Sequence, residues 1–115
     1  MMAAMFHPRE REMHLVVGED DVALLDQRNE VWRFRWEEVT RIETYKRDIF
    51  SMDLICLDFF VESRQLTFKT HEDMKGFPAL RERIHARFPC IREGWWQKVA
   101  FPAFASNHQV LYDKK

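Results

Sequence analysis

Asp53-Leu54-Ile55-Cys56-Leu57-Asp58-Phe59-Phe60-Val61 is the most hydrophobic run in the chain. Side chains on a strand alternate between two faces. Ile55, Leu57, Phe59 and Val61 therefore share one face, and Leu54, Cys56, Asp58 and Phe60 share the other. Both faces are largely apolar, which predicts a central strand partly covered on its second side. Beyond it, Glu62 to Gln65 is a polar turn, and Leu66 to Thr70 returns as a strand with Leu66 and Phe68 inward.

Working toward the N-terminus, Val39 to Lys46 reads as a strand. Val39 and Ile42 both point inward, and their spacing of three predicts a bulge. Val31 to Trp36 alternates, with Trp32, Phe34 and Trp36 on one face and Val31, Arg33 and Arg35 on the other. Met13 to Val17 and Val22 to Leu25 are two further strands, separated by the acidic turn Gly18-Glu19-Asp20-Asp21.

Toward the C-terminus the period changes. Phe77, Leu80, Ile84 and Phe88 form one stripe of an amphipathic helix, with Pro78 in its first turn and Pro89 after its end. A shorter helix is expected over 94–100, and Val110 to Tyr112 could form a last short strand. Consecutive strands joined by turns of a few residues pair antiparallel, because a parallel crossover needs a dozen or more residues. The expected class is α+β: an antiparallel meander of about six strands, capped by a C-terminal helix plus a short second helix. The chain reads as a single domain over 1–115. Residues 1–10 are expected to be a flexible N-terminus, 12–88 the sheet and capping helix, and 89–115 an aromatic C-terminal extension.

The 115 residues are 46% hydrophobic, enough for one core. Lys and Arg number 18 against 19 Asp and Glu. A net charge of -1 offers no global attraction to nucleic acid or an anionic membrane, so neither partner is expected. The charge is uneven, with acids gathered between Glu10 and Glu30 and bases between Arg81 and Lys98. No stretch approaches the roughly 20 apolar residues of a membrane span, and the expected location is the cytoplasm. Cys56 and Cys90 lack metal-like spacing and read as reduced, mostly buried thiols.

Trp36-Glu-Glu-Val39-Thr-Arg-Ile42-Glu-Thr-Tyr45-Lys46-Arg47-Asp48, followed by Asp53-Leu-Ile-Cys-Leu57, resembles bacterial proteins of the PH-like type. The resemblance covers roughly residues 12–88 and implies a bent meander capped by a helix. Tyr45 to Asp48, with Trp95-Trp96-x-x-Val99 and Phe101-Pro-x-Phe104, also resembles small uncharacterised bacterial proteins, some associated with toxin neutralisation. Folds of this kind serve binding more often than catalysis, although fold alone assigns no function.

Catalytic motifs are missing from the sequence. It has three glycines, no phosphate loop and no serine in a nucleophile elbow. His71-Glu72-Asp73 is the densest potential ligand group, but adjacent side chains rarely converge on one metal, so a polar turn is expected. Cys56 lies mid-strand among apolar residues, where burial should raise its thiol pKa and leave it inert. Catalytic residues, cofactors and metals are accordingly not expected.

Two clusters suit contact with a protein. Tyr45, Lys46, Arg47 and Asp48, with Asp53, are expected at a hairpin tip, where loops on rigid scaffolds carry function. Trp95, Trp96, Phe101 and Phe104 form the second. Adjacent tryptophans on a helix point apart, so one should enter the core while Trp96 is the candidate contact. Glu19, Asp20 and Asp21 would steer a basic partner. The expected function is a non-enzymatic protein-binding module, plausibly an immunity-like inhibitor of a bacterial toxin. The alternative is a PH-like module binding a lipid headgroup or a peptide.

Overall fold

The computed structural model describes residues 13–49, 52–103 and 105–114, with the backbone alone for Asp48, Ile49 and Met52. The expected flexible segment 1–10 and the side chain of Phe104 lie outside the described residues. Among the described residues the class is α+β, with two antiparallel sheets and two α-helices.

Met13–Val17 (β1), Asp21–Asp26 (β2) and Asn29–Arg35 (β3) form the first sheet, in that order. Leu15 lies opposite Leu24, Leu24 opposite Trp32, and Val22 opposite Phe34, so one face is continuously apolar. The chain then enters a 3-10 turn, Trp36–Glu38. Trp36, Val39 and Ile42 are all buried. The 3-10 helix repeats every three residues, which puts Trp36 and Val39 on one side. Val39 itself lies in the connection before Arg41–Ile49, and the register of that strand against the C-terminal strand shifts between Ile42 and Glu43, where the expected bulge falls. Trp36 also fastens the acidic turn, its indole Nε1 donating to the Gly18 carbonyl at 3.1 Å and its backbone N–H to that of Asp20 at 3.0 Å.

The second sheet contains Arg41–Ile49 (β4), Met52–Val61 (β5), Leu66–His71 (β6) and Gln109–Asp113 (β7), in the order β6-β5-β4-β7. The single six-stranded meander is therefore corrected to two sheets. The C-terminal strand occupies the free edge of β4, the edge that β3 would need in one continuous sheet. On β5 the predicted inward set, Ile55, Leu57, Phe59 and Val61, is buried throughout. Thr44 and Thr70 flank it and donate their hydroxyls to the Cys56 and Leu57 carbonyls at 2.8 and 2.9 Å. Two polar groups are thereby satisfied inside the core. Leu66 departs from expectation at 47% exposed. It shares a face with Phe68, but its pairing with Val61 is the last of the strand, at the end of the sheet.

Phe77–Arg87 (α1) and Trp95–Ala100 (α2) follow. Phe77, Leu80 and Ile84 are buried, and α1 packs against β1. Phe34 centres the aromatic core, its ring 5.1 Å from both Phe59 and Phe68 and 5.8 Å from Trp36. Its predicted neighbours Ile42, Phe59, Phe68, Leu80 and Ile84 all belong to the same cluster. Cys90 departs from expectation, because it is exposed in the loop after α1.

Gly76 opens α1 with φ 91. A Cβ there would lie 2.4 Å from the Leu15 carbonyl oxygen, because the Leu15 N–H bonds the Lys75 carbonyl at 2.7 Å. Gly76→Ala should therefore destabilise the fold by about 1–3 kcal/mol. Gly94, with φ 88, has nothing within 4 Å of such a Cβ. Urea denaturation should show the smaller loss for Gly94→Ala; equal losses would show that the contact with β1 is immaterial.

Candidate partner-binding face

The outer face of the second sheet carries Tyr45 and Arg47, two of the residues that the sequence singles out. Register places Tyr45 opposite Cys56 and Cys56 opposite His71, with Glu43, Asp58 and Lys69 forming the neighbouring row. Asp58 is 4% exposed. It accepts from the Lys69 ammonium at 2.9 Å and from the Tyr45 hydroxyl at 3.4 Å. Burial, then the Asp58 carboxylate, pushes the Tyr45 phenol above its ordinary value. The Asp58 hydrogen bond holds the Lys69 ammonium above its own. At Glu43 burial pushes the carboxyl up, but the bonds from His108 and Arg41 outweigh it and leave the group below its usual value.

Tyr45 to Asp48 do not form a loop tip. They are strand residues, Asp48 facing Asp53 and Ile49 facing Met52 in the hairpin. Arg47 is exposed beside Tyr45, and the Asp48 side chain lies outside the described residues. Lys46 points inward instead, with 2% of its side chain exposed. Its ammonium donates to Asp53 Oδ2 at 3.0 Å and to the Ala100 and Pro102 carbonyls at 2.7 and 2.6 Å. An ammonium has three protons, and these three bonds use them all. The expected surface cation is therefore a clasp between the β4–β5 hairpin and the loop after α2. The Lys46 N–H bonds the Ser106 carbonyl at 2.8 Å, and Asn107 donates to the Val99 and Pro102 carbonyls. The pinned loop leaves Phe101 71% exposed.

A cleft of about 530 Å³ lies at the opposite end of the sheet, lined by Phe60, Val61, Leu66, Arg41, Asp113 and Glu62 among others. Arg41 is committed there to Glu43 and Asp113. Neither this cleft nor the exposure of Phe101 was legible in the sequence. The phenylalanine sits in an aromatic tail in which Trp95 is buried and Trp96 half-buried.

The remaining candidates lie elsewhere. Glu19 and Asp20 are exposed in the β1–β2 turn, whereas Asp21 bonds Arg33 at 2.6 Å, and Arg33 also holds Glu30. The turn rests on Trp36, just before β4 begins, whereas Arg47 lies roughly 20 Å along that strand. The acidic turn and the Tyr45–Arg47 pair are thus separate features. Trp95 is buried and donates its indole N–H to His85 Nε2 at 3.0 Å. Trp96 is half-buried beneath the Arg81 guanidinium, 3.7 Å from the ring centroid. The predicted divergence of the two rings holds, at an interplanar angle of 79°.

His71, Glu72 and Asp73 fold as a polar turn, the Asp73 N–H meeting His71 Nδ1 and Glu72 accepting from the Ile55 N–H. Burial pushes the Cys56 thiol up, as its apolar run predicts. Among the described residues no helix is long and apolar enough to cross a membrane. Comparison of the chain with protein-family models, curated proteins and solved structures returned no match.

Proposed function

We propose that the protein is a non-enzymatic module that binds another protein, most concretely an immunity-like inhibitor that holds a bacterial toxin. The observation that carries this reading is the display of Tyr45 beside exposed Arg47 on a rigid sheet, the tyrosine bonded to buried Asp58. Tyrosine and arginine supply contact area and directional hydrogen bonds, and holding them in place lowers the ordering cost of binding. The roll of β1 to β6, with α1 against β1, is in keeping with a PH-like frame. A headgroup site would need cations free for phosphate. Lys46 is spent on the clasp, Arg41 on Glu43 and Asp113, and Lys69 on Asp58, which leaves Arg47 as the exposed cation of this face beside Tyr45 and favours a protein ligand over a multiply charged headgroup. Glu19 and Asp20 suit a basic partner and would act mainly on association rate.

Affinity capture from the source cell, followed by binding kinetics on the recovered protein, tests the reading. Tyr45→Ala and Arg47→Ala should each shorten the lifetime of the complex by about tenfold, with association nearly unchanged and the circular dichroism intact. Recovery of no protein, together with Arg47-dependent binding to anionic lipid vesicles, would replace this function with headgroup binding.

A further inference from the structure

β6 and β7 are the two edge strands of the second sheet, and they are held very differently. β6 pairs with β5 over six residues without a break, buries Phe68 and Thr70, and bonds the Thr70 hydroxyl to the Leu57 carbonyl. β7 pairs with β4 over four residues, and the register shifts between Ile42 and Glu43. None of the five residues of β7 is buried. Leu111 and Tyr112 are partly buried against the core, the Tyr112 ring 4.5 Å from that of Phe88. The side chains tying the strand down lie near the surface. Arg41 holds Asp113 at 2.9 Å, His108 meets Glu43 at 2.7 Å, and Gln109 donates to the Trp95 carbonyl at 3.2 Å. Surface ion pairs add little stability each. An element with few buried contacts opens at a lower free energy than the whole domain.

We propose that β7 is a releasable strap, opening from β4 as a unit while the other strands and both helices stay folded. β4 keeps its nine paired residues with β5 in the open state. The Lys46 clasp and the buried side chains of Trp95 and Val99 hold α2 and its loop without help from β7. Opening bares the edge of the strand that carries Tyr45 and Arg47. An unpaired strand edge is a template for an added strand, so the strap sets when that edge can be joined. The opening itself needs no partner, and its test is independent of the proposed function.

Native-state hydrogen exchange, followed residue by residue by NMR at one fixed pH, tests the strap. After correction for intrinsic rates, the hydrogen-bonded amides of β7 should exchange about 100-fold faster than those of β5, or more. Urea below the unfolding transition should speed β5 and barely change β7, because opening the strap exposes little surface. Ile84→Val separates the two openings. Ile84 is buried on α1, and its contacts survive release of the strap but not global unfolding. The substitution should therefore speed β5 exchange by about two- to tenfold and leave β7 at the wild-type rate. Rates for β7 that track those of β5 in the wild type, in urea or in Ile84→Val would overturn the proposal, since β7 would then open only when the whole domain unfolds.

Discussion

Lys46→Met is expected to cost about 3–5 kcal/mol, the usual penalty for removing one partner of a buried ion pair. Methionine keeps much of the stem's volume but supplies no proton to Asp53 Oδ2, the Ala100 carbonyl or the Pro102 carbonyl. The lost ammonium matters more than any lost packing, because the Lys46 head is itself buried and a partly buried acceptor left unmet costs desolvation. For a chain of 115 residues the loss corresponds to a fall in Tm of roughly 10–20 °C. Hydrogen exchange should also accelerate at the amides following α2. Lys46→Met combined with Asp53→Leu should recover part of the loss, since replacing a whole buried pair by apolar groups is often close to neutral. A single variant within 1 kcal/mol of wild type would show that the clasp is not closed in solution.

Leu80→Ala should cost about 2–5 kcal/mol. Leu80 is fully buried on α1, in the same cluster as Phe77 and Ile84 from its own helix and Phe34 and Phe59 from the two sheets. Truncation removes its apolar contacts and leaves a cavity that aromatic neighbours cannot fill without leaving their rotamers. Glu82→Ala, two residues away and exposed, should stay within about 0.5 kcal/mol. Urea unfolding with an unchanged m-value would assign the difference to the folded core. A loss below 1 kcal/mol for Leu80→Ala would mean that α1 does not seal the sheets.

Gly76 and Leu80 illustrate how differently residues of one helix can be read. The stripe of Phe77, Leu80 and Ile84 is visible in the sequence as a period, because the helix repeats whatever it packs against. The close approach of Gly76 to Leu15 is not, since nothing local in the chain states which backbone will pass there. The site divides in the same way. Tyr45 and Arg47 were marked by residue type and both reach the outer face, half-buried and exposed. Lys46 was marked by the same logic and turned inward. Strand alternation separates it from its two neighbours, whereas a hairpin tip, where the segment is expected from its residue types, carries no such alternation.

What the sequence determined by itself was local: the alternating strands, the helical stripe, the turns and the apolar faces that had to meet. Burial of apolar side chains acts on patterns only a few residues long, so these features can be read without knowing the fold. The tertiary structure alone decided that the meander splits into two sheets. It placed the C-terminal strand on β4, made Lys46 a clasp, and left Phe101 in water. Each of these depends on segments far apart in sequence, such as Lys46 with Pro102 and Ile42 with Tyr112. Such pairings follow from competition among all available partners for hydrogen bonds and buried area, and no local period records the outcome.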